Sequence, residues 1–157
     1  MPAAAPTTAA TFTPADPGYA ARVRASFARQ GAMKTFGAEL IAIAPGYCAI
    51  ALVPCAQIAQ QHGHVHGGVV SAIADSAAGY AGFTLFPASA SVLTVEFKIN
   101  LLAPAAGDRL VAEGFVVKPG RTLAITRAEV HAERAGRRTL VAIMQQTLMV
   151  MHGKADE

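Results

Sequence analysis

The sequence predicts an α+β domain in which one antiparallel sheet wraps around a single long apolar helix. Three observations lead there. The stretch VVSAIADSAAGYAGFTLF, residues 69–86, is too long and too Ala-rich for a strand, and it is apolar on nearly every side, as a buried helix is. Residues 91–103 alternate, with Leu93, Val95, Phe97, Ile99 and Leu101 on one face and Thr94, Glu96, Lys98 and Asn100 on the other. The remaining strand-like runs are joined by Pro-Gly and Ala-Gly turns. A sheet with one hydrophobic face has to bury it, and the apolar helix is the element it can cover.

The elements follow in order. Residues 1–15 are rich in Ala, Thr and Pro and read as a disordered tail, without the positive start or apolar run of a signal peptide. Asp16-Pro17 then announces a helix over 17–30. The carboxylate can accept from first-turn amides, Pro is tolerated at the first helical position, and Gly31 is read as the stop. Tyr19, Val23 and Phe27 recur on one face of it. Strands over 36–44 and 47–53 meet at Pro45-Gly46. A loop over 54–65 carries Gln60, Gln61, His62 and His64, and His66-Gly67-Gly68 opens the buried helix. Four strands complete the chain, near 91–103, 108–118, 121–133 and 138–151. Lys118-Pro119-Gly120-Arg121 places Pro and Gly where a type II turn wants them, and Arg134-Ala135-Gly136-Arg137 turns the last pair. Residues 16–152 make one domain without internal repeats.

The bulk properties narrow the function. The 157-residue chain is 53% hydrophobic and 15% charged, which suits one globular domain with a real core. A formal charge of +3 comes with no Lys/Arg-rich run or basic helix face, so nucleic acid is not an expected partner; a small phosphorylated ligand suits it. Cys48 and Cys55 form no CxxC pair and read as buried apolar thiols. Asp75 interrupts the longest apolar stretch and nothing passes as a membrane span, so the expected location is cytoplasmic.

Asp75 is the most informative residue. An ionised carboxylate on a helix of small and apolar residues costs several kcal/mol unless it is paired or faces a cavity. It is either a structural Asp bonded to backbone or to Ser71, or a base or nucleophile lining a cleft. The second feature is His66-Gly67-Gly68. Glycines at a helix start let another group approach free N–H donors, where the helix dipole adds partial positive charge, and such a turn can stabilise the oxyanion of an attacked ester or thioester. Otherwise they only make a tight turn. Gly67 and Asp75 are eight residues apart on one helix, roughly 12 Å at 1.5 Å per residue. One carbonyl cannot touch both. If both act on one substrate, two antiparallel helices must each lend a first turn to the other's Asp, across a two-fold dimer.

Gln60-x5-His66-Gly67-Gly68-x6-Asp75, followed by Thr94-Val95-Glu96-Phe97 and Asn100-Leu101-Leu102-Ala103-Pro104, resembles the hotdog-fold acyl-CoA thioesterases, in their PaaI-type and 4-hydroxybenzoyl-CoA branch. The likeness covers roughly residues 30–150. It implies an α+β hotdog fold, a homodimer often paired into a tetramer, and hydrolysis of a CoA thioester without metal or organic cofactor. Carried across, Gly67 is the oxyanion N–H, Asp75 the nucleophile or general base, and Gln60 a positioner of water or carbonyl. His66 supports the thioester or leaving group, with Gly68 beside it. Thr94 matches a hydroxyl position near the carboxylate, although its strand parity puts it with Glu96 and Lys98 unless a bulge or twist re-aims it. The resemblance also points to Gly120-Arg121-Thr122, with Lys118, as the contact for the CoA phosphates.

Rival readings remain. His62, His64 and His66 alternate and would share a face of an extended segment as zinc ligands, but no HxHxD continuation appears. Ser71 and Ser76 lie in no G-x-S-x-G elbow, and neither a P-loop nor a G-x-G-x-x-G is present. A same-fold dehydratase of hydroxyacyl thioesters and a non-enzymatic acyl-CoA binder are the alternatives. Thiol release from an acyl-CoA separates the thioesterase from both.

Overall fold

The computed structural model describes residues 12–154 and 156. Its elements are α1 (Tyr19–Arg29), α2 (Gly31–Thr35), β1 (Glu39–Ala44), β2 (Tyr47–Leu52), a 3-10 turn (Ala56–Ile58), α3 (Gly67–Phe83), β3 (Ala90–Leu101), β4 (Arg109–Lys118), β5 (Leu123–Arg134) and β6 (Arg137–His152). The six strands form one antiparallel sheet in the order β1-β2-β4-β5-β6-β3. Helix α3 lies on its inner face, with Val70, Ile73, Ala74, Ala77, Ala78, Ala81 and Phe83 all buried. This is the α+β arrangement expected from the apolar run.

Small residues set how closely helix and sheet approach. A Cβ at Gly114 of β4 would collide with the Ala77 backbone of α3, and one at Gly82 would collide with Leu148 of β6. The C-terminal end of α3 is held by Arg22 of α1. Its guanidinium donates to the carbonyls of Phe86 at 2.7 Å and Ala90 at 3.2 Å, lies 4.2 Å from the Phe83 ring centroid, and pairs with Asp16 at 3.0 Å. A cation there satisfies carbonyls beyond the helix end and complements the helix dipole.

Several boundaries differ from the sequence expectation. Of the expected tail, residues 1–11 lie outside the described residues, whereas Phe12 packs on the core beside Gly46. Gly31 does not end the helical region. Gln30 turns extended, and α2 restarts at Gly31 to bring Met33 into the core, so β1 starts at Glu39 rather than 36. Gly46 takes the positive φ of 76° that a type II turn needs, but Gly120 does not, so 119–122 form a wider loop. Glycine is needed at 120 for another reason, since a Cβ would collide with the Leu123 carbonyl. Cys48 is buried, but Cys55 is exposed on the loop after β2.

The largest correction concerns β3. A bulge at Val95 breaks its register with β6 between Thr94 and Glu96. Side chains facing one side therefore change parity there. Val92 and Thr94 oppose the buried Val150 and Leu148, and after the bulge Phe97, Ile99 and Leu101 oppose the buried Gln146, Met144 and Ala142. Leu93, expected in the apolar row, instead opposes Met149 and is 55% exposed. Since β3 is an edge strand, Leu101 is also 57% exposed.

Away from α3, Glu113 is 7% exposed on β4 yet well satisfied. It accepts from Arg138 at 2.6 Å and Tyr47 at 2.9 Å. Desolvation raises its pKa, but the Arg138 and Tyr47 hydrogen bonds outweigh it and hold the carboxyl below its ordinary value of 4.5. Stability from this depressed group is present above pH 4.5 and fades as the pH falls through the lower folded value. Arg138→Met should therefore cost about 1–3 kcal/mol near pH 7, with a smaller loss near pH 3, in denaturant melts at the two pH values. An equal loss at both would remove the charge from the explanation.

Candidate active site

Asp75 is on α3, and its carboxylate meets side chains from two strands distant in sequence. Thr94 of β3 donates its hydroxyl to Oδ1 at 2.8 Å, and Gln146 of β6 donates its amide to the same oxygen. Gln146 Nε2 also lies 3.0 Å from Thr94 Oγ1, while its Oε1 accepts from Thr126 of β5 at 3.0 Å. Thr126 and Gln146 are buried, and every link of the chain Thr126–Gln146–Asp75–Thr94 has a partner, which a buried polar cluster requires. The Val95 bulge gives Thr94 its aim.

Desolvation dominates the electrostatics of Asp75 and raises its pKa; the Thr94 and Gln146 hydrogen bonds oppose the shift without cancelling it. The carboxylate lies in the wall of a cavity of about 390 Å³ that also touches Ser76, Gly79, Tyr80 and Thr94. A partly desolvated carboxylate at a cavity wall, bonded on one oxygen, has the makings of a base or nucleophile.

The N-terminal turn of α3 is separate. His66 is the N-cap, and its Nδ1 accepts from Gly68 N at 2.9 Å. That takes up the Gly68 N–H. Among the described residues the Gly67 N–H has no acceptor, and a Cβ on Gly67 would come within 2.9 Å of Leu101 Cδ1. Ser71, considered as a partner of Asp75, instead donates to the Gly67 carbonyl at 2.8 Å. The loop before the helix is shaped by Gln60, whose backbone N–H donates to the His64 carbonyl at 2.8 Å and whose side-chain oxygen accepts from His62 N. Gly63, at φ 83°, completes this turn, which is closed by an Ala59–Val65 bridge. It breaks the extended geometry in which the three histidines would align. Among the described residues no three His, Cys, Asp or Glu side chains converge as metal ligands.

The structure thus brings Asp75 and Thr94 together at the middle of α3 and leaves Gln60, His66, Gly67 and Gly68 at its N-terminal end in the same chain. Lys118, Gly120, Arg121 and Thr122 are exposed at the β4–β5 loop and do not line the Asp75 cavity. That loop is tied to the end of β6, where Val150 N donates to Thr122 O at 2.9 Å and His152 Nε2 lies 2.6 Å from Arg121 O. Sequence reasoning missed Gln146 and Thr126. Their signal was available: each is a polar residue at the inward parity of an otherwise apolar strand, and the two are cross-strand partners.

A raised carboxylate pKa opposes folding wherever the group is charged. The native state then holds a proton that the unfolded chain has lost, so stability falls as the pH rises from 3.8 through the raised value. Asp75→Asn keeps an acceptor for Gln146 and removes the charge. It should raise the melting temperature by roughly 2–4 °C at pH 7, with the gap closing toward pH 3.8. Scanning calorimetry across that range checks it; a lower melting temperature at pH 7 would mean that the ionised form is structurally required.

The thioesterase superfamily model matches residues 62–139. A thioesterase family protein from Silicibacter pomeroyi is 47% identical, covers 87% of this chain and 100% of its own, and superposes with a TM-score of 0.85. The E. coli PaaI protein from the phenylacetic acid degradation operon shares the fold at TM-score 0.77 and 22% identity, covering 87% of this chain and 96% of its own. A Halobacterium salinarum protein provisionally named an esterase is 36% identical over 70 residues, 43% of this chain and 46% of that one, so the match spans about half of that curated relative. No helix among the described residues is long and apolar enough to cross a membrane. With its α3 wrapped by the six-stranded sheet and its near-complete match to the S. pomeroyi protein, the chain belongs to the thioesterase superfamily, in the hotdog fold.

Proposed function

We propose that the protein hydrolyses an acyl-CoA thioester to the free acid and CoA, with Asp75 as its reacting carboxylate. The observation that carries this reading is the desolvated Asp75 carboxylate, fixed by Thr94 and Gln146 at a cavity wall. In the general-base route Asp75 takes a proton from water as the water oxygen attacks the thioester carbon. In the nucleophilic route Asp75 itself attacks, and water then cleaves the resulting anhydride. Either way the carbonyl oxygen becomes an oxyanion, the C–S bond breaks, and the thiolate leaves as CoA after taking a proton.

The oxyanion needs a donor that the same chain cannot bring to Asp75, because Gly67 lies about eight residues, roughly 12 Å, back along α3. A second copy with an antiparallel α3 supplies it. Gly67 N–H then polarises the carbonyl, Gln60 orients water or carbonyl, and His66 backs the turn through its bond to Gly68 N. Two features support the homodimer. The β3 edge has no neighbouring strand in the described chain, and it exposes Val95, Phe97, Leu101 and Leu102. An open, apolar strand edge of this length favours pairing. Pairs of such dimers make the expected tetramer. Lys118 and Arg121, with the backbone of Gly120 and the Thr122 hydroxyl, are proposed to hold the CoA phosphates, where exposed cations at a tethered loop suit them.

Asp75→Asn should lower turnover of acyl-CoA by roughly a hundred- to ten-thousandfold, read by free-thiol release, with an unaltered fold. Turnover close to wild type would take Asp75 out of the mechanism, and an accumulating enoyl product without thiol would indicate a dehydratase.

The shared site is tested separately by co-expressing Asp75→Ala chains with Gln60→Ala chains. A cross-chain site leaves each hybrid dimer one intact centre and restores about a quarter of wild-type turnover in a random mixture. Sites contained within one chain would give no recovery.

A further inference from the structure

The β5–β6 hairpin ends in a cluster of cations that the proposed mechanism does not use. Arg134 and Arg137 are cross-strand partners on either side of the Ala135-Gly136 turn. Their Cα atoms are therefore about 5 Å apart, and like charges set directly opposite one another destabilise a hairpin. The turn adds to that cost. Ala135 takes φ 49° and Gly136 φ 77°, and a positive φ at the first of these positions suits Asn or Gly better than Ala. Among the described residues the guanidiniums of Arg109, Arg134 and Arg137 have no hydrogen-bond or ion-pair partner.

The neighbouring carboxylates are already engaged. Glu133 lies in register between Arg109 of β4 and Arg138 of β6, and it pairs with Arg138 Nε at 3.3 Å. Arg138 also donates to Glu113 at 2.6 Å. Asp108 accepts from Ala135 N at 3.3 Å and donates its own N–H to the Glu133 carbonyl at 2.8 Å, so the loop before β4 fixes the hairpin. The four arginines, with Asp108 and Glu133, line a cavity of about 510 Å³, a size that suits a small ligand. Two occupied carboxylates against four guanidiniums leave it an excess of positive charge and of unused N–H donors.

A phosphate-bearing anion fits this arrangement. Guanidinium forks match phosphate oxygens bidentately, and an anion held between Arg134 and Arg137 would relieve their repulsion. The CoA phosphates are assigned above to the Lys118–Thr122 loop, at the opposite end of the same strands. Arg109 opens β4 and Lys118 ends it, roughly 30 Å away along the strand.

We propose that the β5–β6 hairpin mouth is a second anion site, which binds a diphosphate group carried by a molecule other than the substrate CoA. Arg134 and Arg137 grip the anion from either side, and Arg109 adds a third cation. The site is independent of the thioesterase reading, because binding is measured without turnover.

Inorganic pyrophosphate titrated into the full chain at low ionic strength, followed by calorimetry, provides the test. Wild type should show two classes of site, of which saturating CoA displaces one and leaves the other. Arg134→Gln with Arg137→Gln should weaken the CoA-resistant class by about tenfold or more, whereas Arg121→Ala should leave that class intact. Without ligand the double variant should melt no lower than wild type, since it removes a like-charge pair. A single class that CoA displaces completely would assign these arginines to the substrate and overturn the separate site. A CoA-resistant class that survives the double substitution would overturn it too, as would the absence of any pyrophosphate binding. The wild-type competition decides even if the double variant does not fold.

Discussion

A charged group on a helix that is otherwise packed against a sheet has to be reached by that sheet, and this requirement organises the molecule. Asp75 receives hydrogen bonds from β3 and β6, and Gln146 is in turn braced by Thr126 on β5. Those three strands must therefore be neighbours beneath the middle of α3. The order β1-β2-β4-β5-β6-β3 achieves it by carrying β3, the third strand in sequence, to the far edge beside β6. The bulge at Val95 belongs to the same requirement, since without it Thr94 would share a face with Glu96 and Lys98 and the carboxylate would lose a donor.

The two ends of α3 divide the remaining chemistry. At its C-terminal end every available carbonyl is engaged, partly by Arg22 and partly by the turn that follows. At its N-terminal end His66 satisfies Gly68 and leaves the Gly67 N–H open. A helix end with an unpaired donor and positive dipole character suits an anionic centre, yet its own carboxylate lies eight residues along the helix, roughly 12 Å away. The separation that prevents a single chain from completing the proposed site is the same separation that two antiparallel helices would cancel.

Much of this was legible in the sequence because it depended on short-range patterns. The apolar run foretold α3, Pro45-Gly46 foretold the first hairpin, and the anomaly of a carboxylate among alanines singled out Asp75. What was not legible depended on long-range registration. The alternation in 91–103 was real as a pattern, but a single unpaired residue at Val95 reversed its faces, so Leu93 faces away from the helix and Thr94 toward it. Gly31 looked like a stop because helix signals are local, whereas the core's need for Met33 restarted the helix. Gln146 was hidden because polarity is unremarkable in a strand until its partner strand and face are known.

Several residues that break local rules in this chain serve the Asp75 carboxylate or its surroundings. Asp75 breaks the apolar pattern of α3, and Gln146 and Thr126 break the inward rows of β6 and β5. Val95 breaks the register of β3, and Gly79 breaks helix propensity without a packing reason. Some exceptions elsewhere have structural explanations, as with Gly114 against Ala77 or Glu113 with Arg138 and Tyr47. A departure without a packing or pairing reason is a candidate for a place where function has competed with stability. Gly79 differs from the packing glycines Gly82 and Gly114, since no contact in the fold requires it and it lines the same cavity as Asp75.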